Sequence, residues 1–198
     1  MLKYITSFIV AALFTLCLSS ANAQISQNVI YKSEKIKPVD STLKVSTGDS
    51  APDFNLPCIS GRKISLSSYK GKMNVVLSFV PAAFTPVCSD QWPGYNIARE
   101  LFEQNDAVLL GITVDNVPSL YAWTRQMGEG GVWFPVLSDF WPHGKTAQKY
   151  GILRPEGITE RAIFIIDKQG IIRYIDVHDI NTRPDLGGII KALSSINK

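Results

Sequence analysis

From Asp53 onward the apolar positions fall into short periodic blocks. Phe54 and Leu56 alternate into Ile64 and Leu66 across Ser60-Gly61, which predicts a β-hairpin. Lys70-Gly71-Lys72 marks a turn. Asn74 to Val80 is then a nearly continuous, Val-rich apolar run, the pattern of a strand buried on both faces. A helix is predicted to begin around Pro86 to Cys88 and to run towards Gln104, kinked at Pro93 because proline lacks an N–H and crowds the preceding turn. Ala107 to Val114 reads as a second buried strand and Pro118 to Met127 as a helix with proline in its first turn. Phe134 to Leu137 predicts a short strand and Gly144 to Tyr150 a short helix. Arg161 to Asp167 and Ile171 to Val177 predict a hairpin across Lys168-Gln169-Gly170, and Pro184 to Ile196 a final helix.

A β-α-β-α beginning followed by a hairpin and a helix is the thioredoxin-like order, an α/β three-layer sandwich. The early hairpin is an N-terminal extension of that plan and the Phe134 strand an addition to it. Fold class alone assigns no function.

The chain's beginning follows a different pattern. Lys3 precedes an apolar run from Ile5 to Leu18, and Ala21-Asn22-Ala23 is a small-x-small site before Gln24, so residues 1–23 read as a cleaved signal peptide. The run is shorter than the roughly 20 residues of a membrane span. A lipid anchor on Cys17 is disfavoured by Leu16, where such signals carry a small residue. The expectation is export, with a periplasm indicated by the A-x-A-type site, and no stable membrane anchor. Residues 24–47 form a polar lead-in and residues 48–198 one domain of ordinary size.

Composition narrows the chemistry. The net charge of +3 comes without a basic cluster, which argues against nucleic acid or anionic lipid as a partner. Two histidines and the scattered cysteines lack the close spacing of zinc ligands, so no metal and no cofactor is expected. Once Cys17 leaves with the signal, Cys58 and Cys88 remain. In an oxidising compartment they are either a structural disulfide or one reactive thiol beside an incidental cysteine.

Cys88 falls where the central strand has ended and a helix begins. The free N–H groups and partial positive charge of a helix start favour a thiolate over a thiol. A helix end contributes only about 1 kcal/mol, so a second positive group is called for. Arg161 is the leading candidate, because it opens the strand RAIFIID, whose other inward positions are apolar. The alternative is an arginine at the strand edge that reaches out to water. Pro81 and Thr85 complete the pattern P-x-x-x-T-x-x-C. A hydroxyl three residues before the sulfur can donate or accept a hydrogen bond there, and proline shields the thiolate from water. Equally, Thr85 can be a plain helix cap and Pro81 a strand terminator.

FVPAAFTPVCSDQ resembles the peroxidatic-cysteine loop of the peroxiredoxins, the alkyl hydroperoxide reductase and thiol-specific antioxidant family. The similarity extends from about Gly48 to Tyr174, through APDFNLPCISGRKISLSSYKGK, GITVDNVPSLYAWTRQMG, FPVLSDFWPHGKTAQKYGI and RAIFIIDKQGIIRY, and SDFWPHG is similar to the one-cysteine AhpE-type subgroup. The resemblance implies that Pro81, Thr85, Cys88 and Arg161 occupy the family's four active-site positions. The Cys88 thiolate then attacks a hydroperoxide and becomes a sulfenic acid. Thr85 holds the peroxide, while Arg161 and the N–H groups of Val87 and Cys88 stabilise charge on the leaving oxygen. It also implies a homodimer.

The chain departs from many relatives in lacking a resolving cysteine. The position five residues after Cys88 is Pro93, and no cysteine follows Cys88. Cys58 is read as a small, partly buried apolar residue, with a resolving role or an interchain disulfide as alternatives. Reduction is therefore expected from an external thiol or a thioredoxin-like protein. Gln91 either shapes the site or faces solvent, Trp92 packs, and His143 is read as holding a turn. Two other functions compete: a thioredoxin-like thiol-disulfide oxidoreductase, which normally needs the C-x-x-C that Ser89-Asp90-Gln91 does not supply, and a non-enzymatic holdase or binding module with Cys58 and Cys88 joined.

Overall fold

The computed structural model describes residues 25–32 and 34–196, so residues 1–23, read above as a signal peptide, lie outside the described residues. Two short strands, β1 (Asn55–Pro57) and β2 (Lys63–Ser65), form the early hairpin with Leu56 opposite Ile64. Five strands make the main sheet: β3 (Asn74–Phe79), β4 (Ala107–Thr113), β5 (Val136–Ser138), β6 (Arg161–Ile166) and β7 (Ile172–His178). Their order is β5-β4-β3-β6-β7, with β4 parallel to both β3 and β5, and β6 antiparallel to both β3 and β7.

Strand β3 is at the centre and all six of its residues are buried, as its unbroken apolar run requires. Its side chains divide between two cores. Val75, Leu77 and Phe79 face the early hairpin and the helix α4 (Lys145–Tyr150), together with Leu110, Ile112, Phe164 and Tyr150. Val76 and Val80 face the other way, towards α1 (Pro86–Gly94), α2 (Arg99–Glu103), α3 (Val117–Thr124) and α5 (Leu186–Ser195). The result is a three-layer α/β sandwich of the thioredoxin-like kind, with the hairpin as its N-terminal extension.

The helix after β3 differs from the single kinked helix the sequence predicts. It is divided into α1, a 3₁₀ turn at Tyr95–Ala98, and α2. Pro93 lies inside α1 and removes one ladder hydrogen bond, and the chain changes its winding within two residues. Helix α5 begins at Leu186 rather than Pro184, because the Asp185 carboxylate accepts from the N–H groups of Gly187 (3.1 Å) and Gly188 (2.8 Å) and fixes the start.

Among its described residues the lead-in contains one 3₁₀ turn, Gln27–Val29, and no strand. Ile25 and Val45 are buried at its ends, one in each core. At its far end the Lys44 N–H donates to the Tyr150 carbonyl at 3.1 Å. There a side chain at Gly151 (φ +76°) would meet the Thr42 carbonyl at 2.3 Å, so the glycine permits both the helix stop and the close approach.

Candidate active site

The parallel β3 and antiparallel β6 bring the end of one strand beside the start of the other. Phe79 pairs with Ala162, so Arg161 lies one residue beyond, level with the loop that leads to α1. Alternation then sets its direction. Ala162, Phe164 and Ile166 enter the hairpin-side core, whereas Ile163 and Ile165 enter the α1-side core, and Arg161 shares their parity.

Cys88 is in the first turn of α1 and fully buried. The first backbone bond of the helix is from Ser89 N–H to the Thr85 carbonyl at 2.9 Å, which leaves the N–H groups of Val87 and Cys88 ahead of the ladder, without helical acceptors. Arg161, 1% exposed, directs Nη2 at the Cys88 sulfur at 3.5 Å. Its Nη1 donates to Gln91 Oε1 at 2.5 Å, and Nε and Nη2 both donate to the Ile180 carbonyl, at 3.2 and 3.0 Å. Among the described residues no carboxylate lies within ion-pair distance of this guanidinium (the pairs formed are those of Lys37, Arg99, Arg154, Lys168, Arg173, His178 and Arg183). A buried cation is costly without a compensating anion, and the Cys88 sulfur is the group that Nη2 faces.

Gln91 is buried, not on the helix surface, and joins the site to the sheet. Its Nε2 donates to Ser78 Oγ at 3.2 Å and to Tyr95 Oη at 2.9 Å, while Trp92 Nε1 donates to Ser78 Oγ at 3.2 Å. Burial pushes the Tyr95 phenol up, partly offset by hydrogen bonding with Ser78 and Gln91 and by the Arg161 charge, so it remains neutral. Trp92 packs against Trp123 with ring centroids 4.9 Å apart, and Trp123 Nε1 donates to Ser89 Oγ at 3.0 Å.

Thr85 holds the cap position of α1, with extended φ −99° and ψ 154°, yet its hydroxyl makes no capping bond. It donates instead to the Ala82 carbonyl at 2.8 Å, which leaves its lone pairs available as acceptors. Pro81 is buried two residues past the end of β3, after Val80, and the chain continues into Ala82 and Ala83. Phe84 takes a left-handed φ of 56°, uncommon for a bulky residue. The strain is held from two sides: Ala83 N–H donates to Asp115 Oδ2 at 2.8 Å, and Tyr31 N–H donates to the Phe84 carbonyl at 2.7 Å.

Other singled-out residues lie elsewhere. Cys58 is buried in the hairpin-side core, where it bridges to Leu137 on β5, while Cys88 belongs to the α1-side core; both are free thiols. The sheet separates them, which removes the intrachain disulfide reading. His143 is exposed and its Nε2 contacts the Gly157 carbonyl at 2.6 Å, tying two loops together. His178 ends β7 and pairs with Asp176 at 3.4 Å. No group of histidine, cysteine and acidic residues suited to a metal occurs among the described residues.

Ser78, Tyr95, Asp115 and Ile180 were not singled out in the sequence. Ser78 carried a signal, as the one hydroxyl between Leu77 and Phe79 in a buried strand. Ile180 carried none, since it acts through its backbone carbonyl.

Known proteins share this chain's sequence pattern and fold. Residues 47–175 match the model of the AhpC/TSA family. The chain is 37% identical over 134 residues to alkyl hydroperoxide reductase E of Mycobacterium tuberculosis, covering 67% of this chain and 86% of the relative. It is 35% identical over 158 residues to a putative peroxiredoxin in a rubredoxin operon of Clostridium pasteurianum, covering 75% of this chain and 87% of that one. The crystal structure of the reduced 2-Cys peroxiredoxin of Plasmodium vivax superposes with a TM-score of 0.71 at 25% identity, over 76% of this chain and 81% of that one.

Proposed function

The chain belongs to the AhpC/TSA family and is a thiol-dependent peroxidase, a peroxiredoxin of the AhpE type, and we propose that Cys88 is its peroxidatic residue. The observation that carries this assignment is the buried Arg161 guanidinium 3.5 Å from the Cys88 sulfur, with no carboxylate to neutralise it among the described residues.

In the proposed reaction the Cys88 thiolate attacks the terminal oxygen of a hydroperoxide, ROOH. The S–O bond forms as the O–O bond breaks, and the electron pair leaves on RO⁻, which takes up a proton and departs as ROH. Sulfur is oxidised by two electrons to the sulfenic acid. The Thr85 hydroxyl, already donating to Ala82, accepts from the peroxide proton. Arg161 Nη2 and the N–H groups of Val87 and Cys88 stabilise charge as it moves onto the leaving oxygen. Pro81, with no N–H to offer, forms a dry wall of the pocket. A first external thiol then displaces water from the sulfenic acid to give a mixed disulfide, and a second thiol releases Cys88 as thiolate.

The external reductant follows from the separation of Cys58 and Cys88 into different layers, and a small thiol or a thioredoxin-like protein has the required chemistry. Hydrogen peroxide and organic hydroperoxides are the proposed substrates. Export to a periplasm rests on the Lys3, Ile5–Leu18 and Ala21-Asn22-Ala23 pattern. A homodimer is supported by Phe140 and Trp141, which are 47% and 80% exposed on one loop.

The test is single-turnover oxidation of the reduced protein by one equivalent of hydrogen peroxide. Loss of one thiol at about 10⁴ M⁻¹s⁻¹ or faster, abolished in Cys88→Ser, supports the assignment. A rate unaffected by Cys88→Ser removes it.

A further inference from the structure

Residues 36–40 precede the family-matched region, yet Ile36, Pro38 and Asp40 are hydrogen-bonded to Asn181, Ile180 and Glu160, beside Arg161. Ile36 N–H donates to Asn181 Oδ1 at 3.2 Å, and Asn181 Nδ2 donates back to the Ile36 carbonyl at 2.9 Å. Ile180 N–H donates to the Pro38 carbonyl at 3.1 Å. Asp40 N–H donates to Glu160 Oε1 at 2.6 Å, and Glu160 also receives Arg154 Nη1 at 2.9 Å, both side chains being wholly buried.

These contacts converge on one side chain. Glu160 is the sequence neighbour of Arg161, and the Ile180 carbonyl is the group that accepts both Nε and Nη2 of Arg161. The peptide before Ile180 is fixed through its N–H by Pro38. The peptide after it is fixed through Asn181, whose N–H donates to Asp179 Oδ1 at 2.9 Å while its side chain grips Ile36. A carbonyl that accepts two nitrogens of one guanidinium sets the plane of that fork. With Gln91 on Nη1, the direction from Nη2 to the sulfur is determined by where the Ile180 carbonyl stands. Neither residues 36–40 nor residues 180–181 fall within the family match, so this support belongs to the chain's own flanks.

We propose that residues 36–40 form a clamp that positions the Arg161 guanidinium through Asn181 and the Ile180 carbonyl, which makes Asn181 a positioning residue for the peroxidase reaction. The inference rests on the Cys88 and Arg161 assignment above. The lead-in is thus part of the active site's support, although none of its side chains meets substrate.

A double-mutant cycle on the full chain tests it, with the second-order rate of Cys88 oxidation by hydrogen peroxide as readout. Asn181→Ala, which removes both side-chain bonds to Ile36 and the one to Asp179, is expected to slow oxidation about fivefold, the equivalent of one hydrogen bond expressed in the transition state. In an Arg161→Met background the same substitution is expected to have no further effect, since the residue it acts through is gone. Ile36→Pro, which removes the N–H received by Asn181, is an independent second variant and should show the same pattern. The clamp is overturned if both variants react at the wild-type rate, or if they slow oxidation by the same factor with and without Arg161, which is the mark of a general structural effect. A wild-type rate in Arg161→Met alone overturns the underlying assignment instead.

Discussion

The side chain that most changes the picture is Gln91. On sequence grounds it could as well have faced water, but burial places it between Arg161 Nη1 and the Ser78–Tyr95 pair, so one amide orients the cation from the side opposite Ile180. Arg161 was legible as a candidate because a charge among inward apolar positions is unfavourable without a purpose, yet only the register Phe79–Ala162 and the parity shared with Ile163 show that it turns inward to the sulfur. Thr85 was open to a capping role, but its hydroxyl makes no capping bond and donates to the Ala82 carbonyl, which leaves its lone pairs to accept. Thr85→Val is therefore expected to slow Cys88 oxidation by about 10²-fold, the scale for loss of one oriented polar contact in a transition state, while Thr85→Ser retains most of the rate. Stopped-flow tryptophan fluorescence checks both, since Trp92 and Trp123 pack against each other on the helix side and Trp123 bonds the residue after Cys88.

At the level of elements, periodicity located every strand of the main sheet and most helices. The helix after β3 shows where it stopped: apolar spacing carries no information on how a proline redistributes the winding, and α1, the 3₁₀ turn and α2 came from Pro93 with its tertiary neighbours. The β6–β7 hairpin adds an electrostatic anchor at Asp167. Burial works against its charge, but the N–H groups of Ile171 and Gln169 (both 2.9 Å) and Arg173 Nε (2.6 Å) outweigh it and hold the carboxyl below its ordinary range. A depressed folded-state value stabilises the fold above the unfolded carboxylate pKa of about 3.9 and loses that contribution as pH falls through the lower folded value. Asp167→Asn is thus expected to lose about 1 kcal/mol at pH 7, a modest amount because Arg173 is half-exposed and screened by solvent. Urea unfolding at pH 7 and again at pH 3 should show the difference shrinking in acid.

At the scale of the whole molecule, the sheet acts as a partition. It assigns Cys58 to one core and Cys88 to the other, so the two cysteines of the domain cannot meet without dismantling the sandwich. Cys58→Ser is accordingly expected to leave peroxide turnover with an external thiol within about twofold of wild type, and mass spectrometry of the oxidised protein should show Cys88 modified and no intrachain Cys58–Cys88 bond. Detection of that bond would return the resolving role to Cys58.

The local sequence determined what nearest neighbours can determine. A Val-rich run makes a buried strand, proline and threonine ahead of a cysteine make a strand-to-helix junction, and a helix start favours an anion. Those relations act within a few residues and so can be read along the chain. Which distant groups meet at the sulfur was decided only by the tertiary structure. Arg161, Ile180 and the lead-in reach the Cys88 edge because β6 runs antiparallel to β3 and the flanking segments fold back over that edge. Backbone carbonyls and side-chain parity have no signature in the letters at those positions. They gain their role when strand register fixes, over many residues at once, which groups are left without water and must find each other.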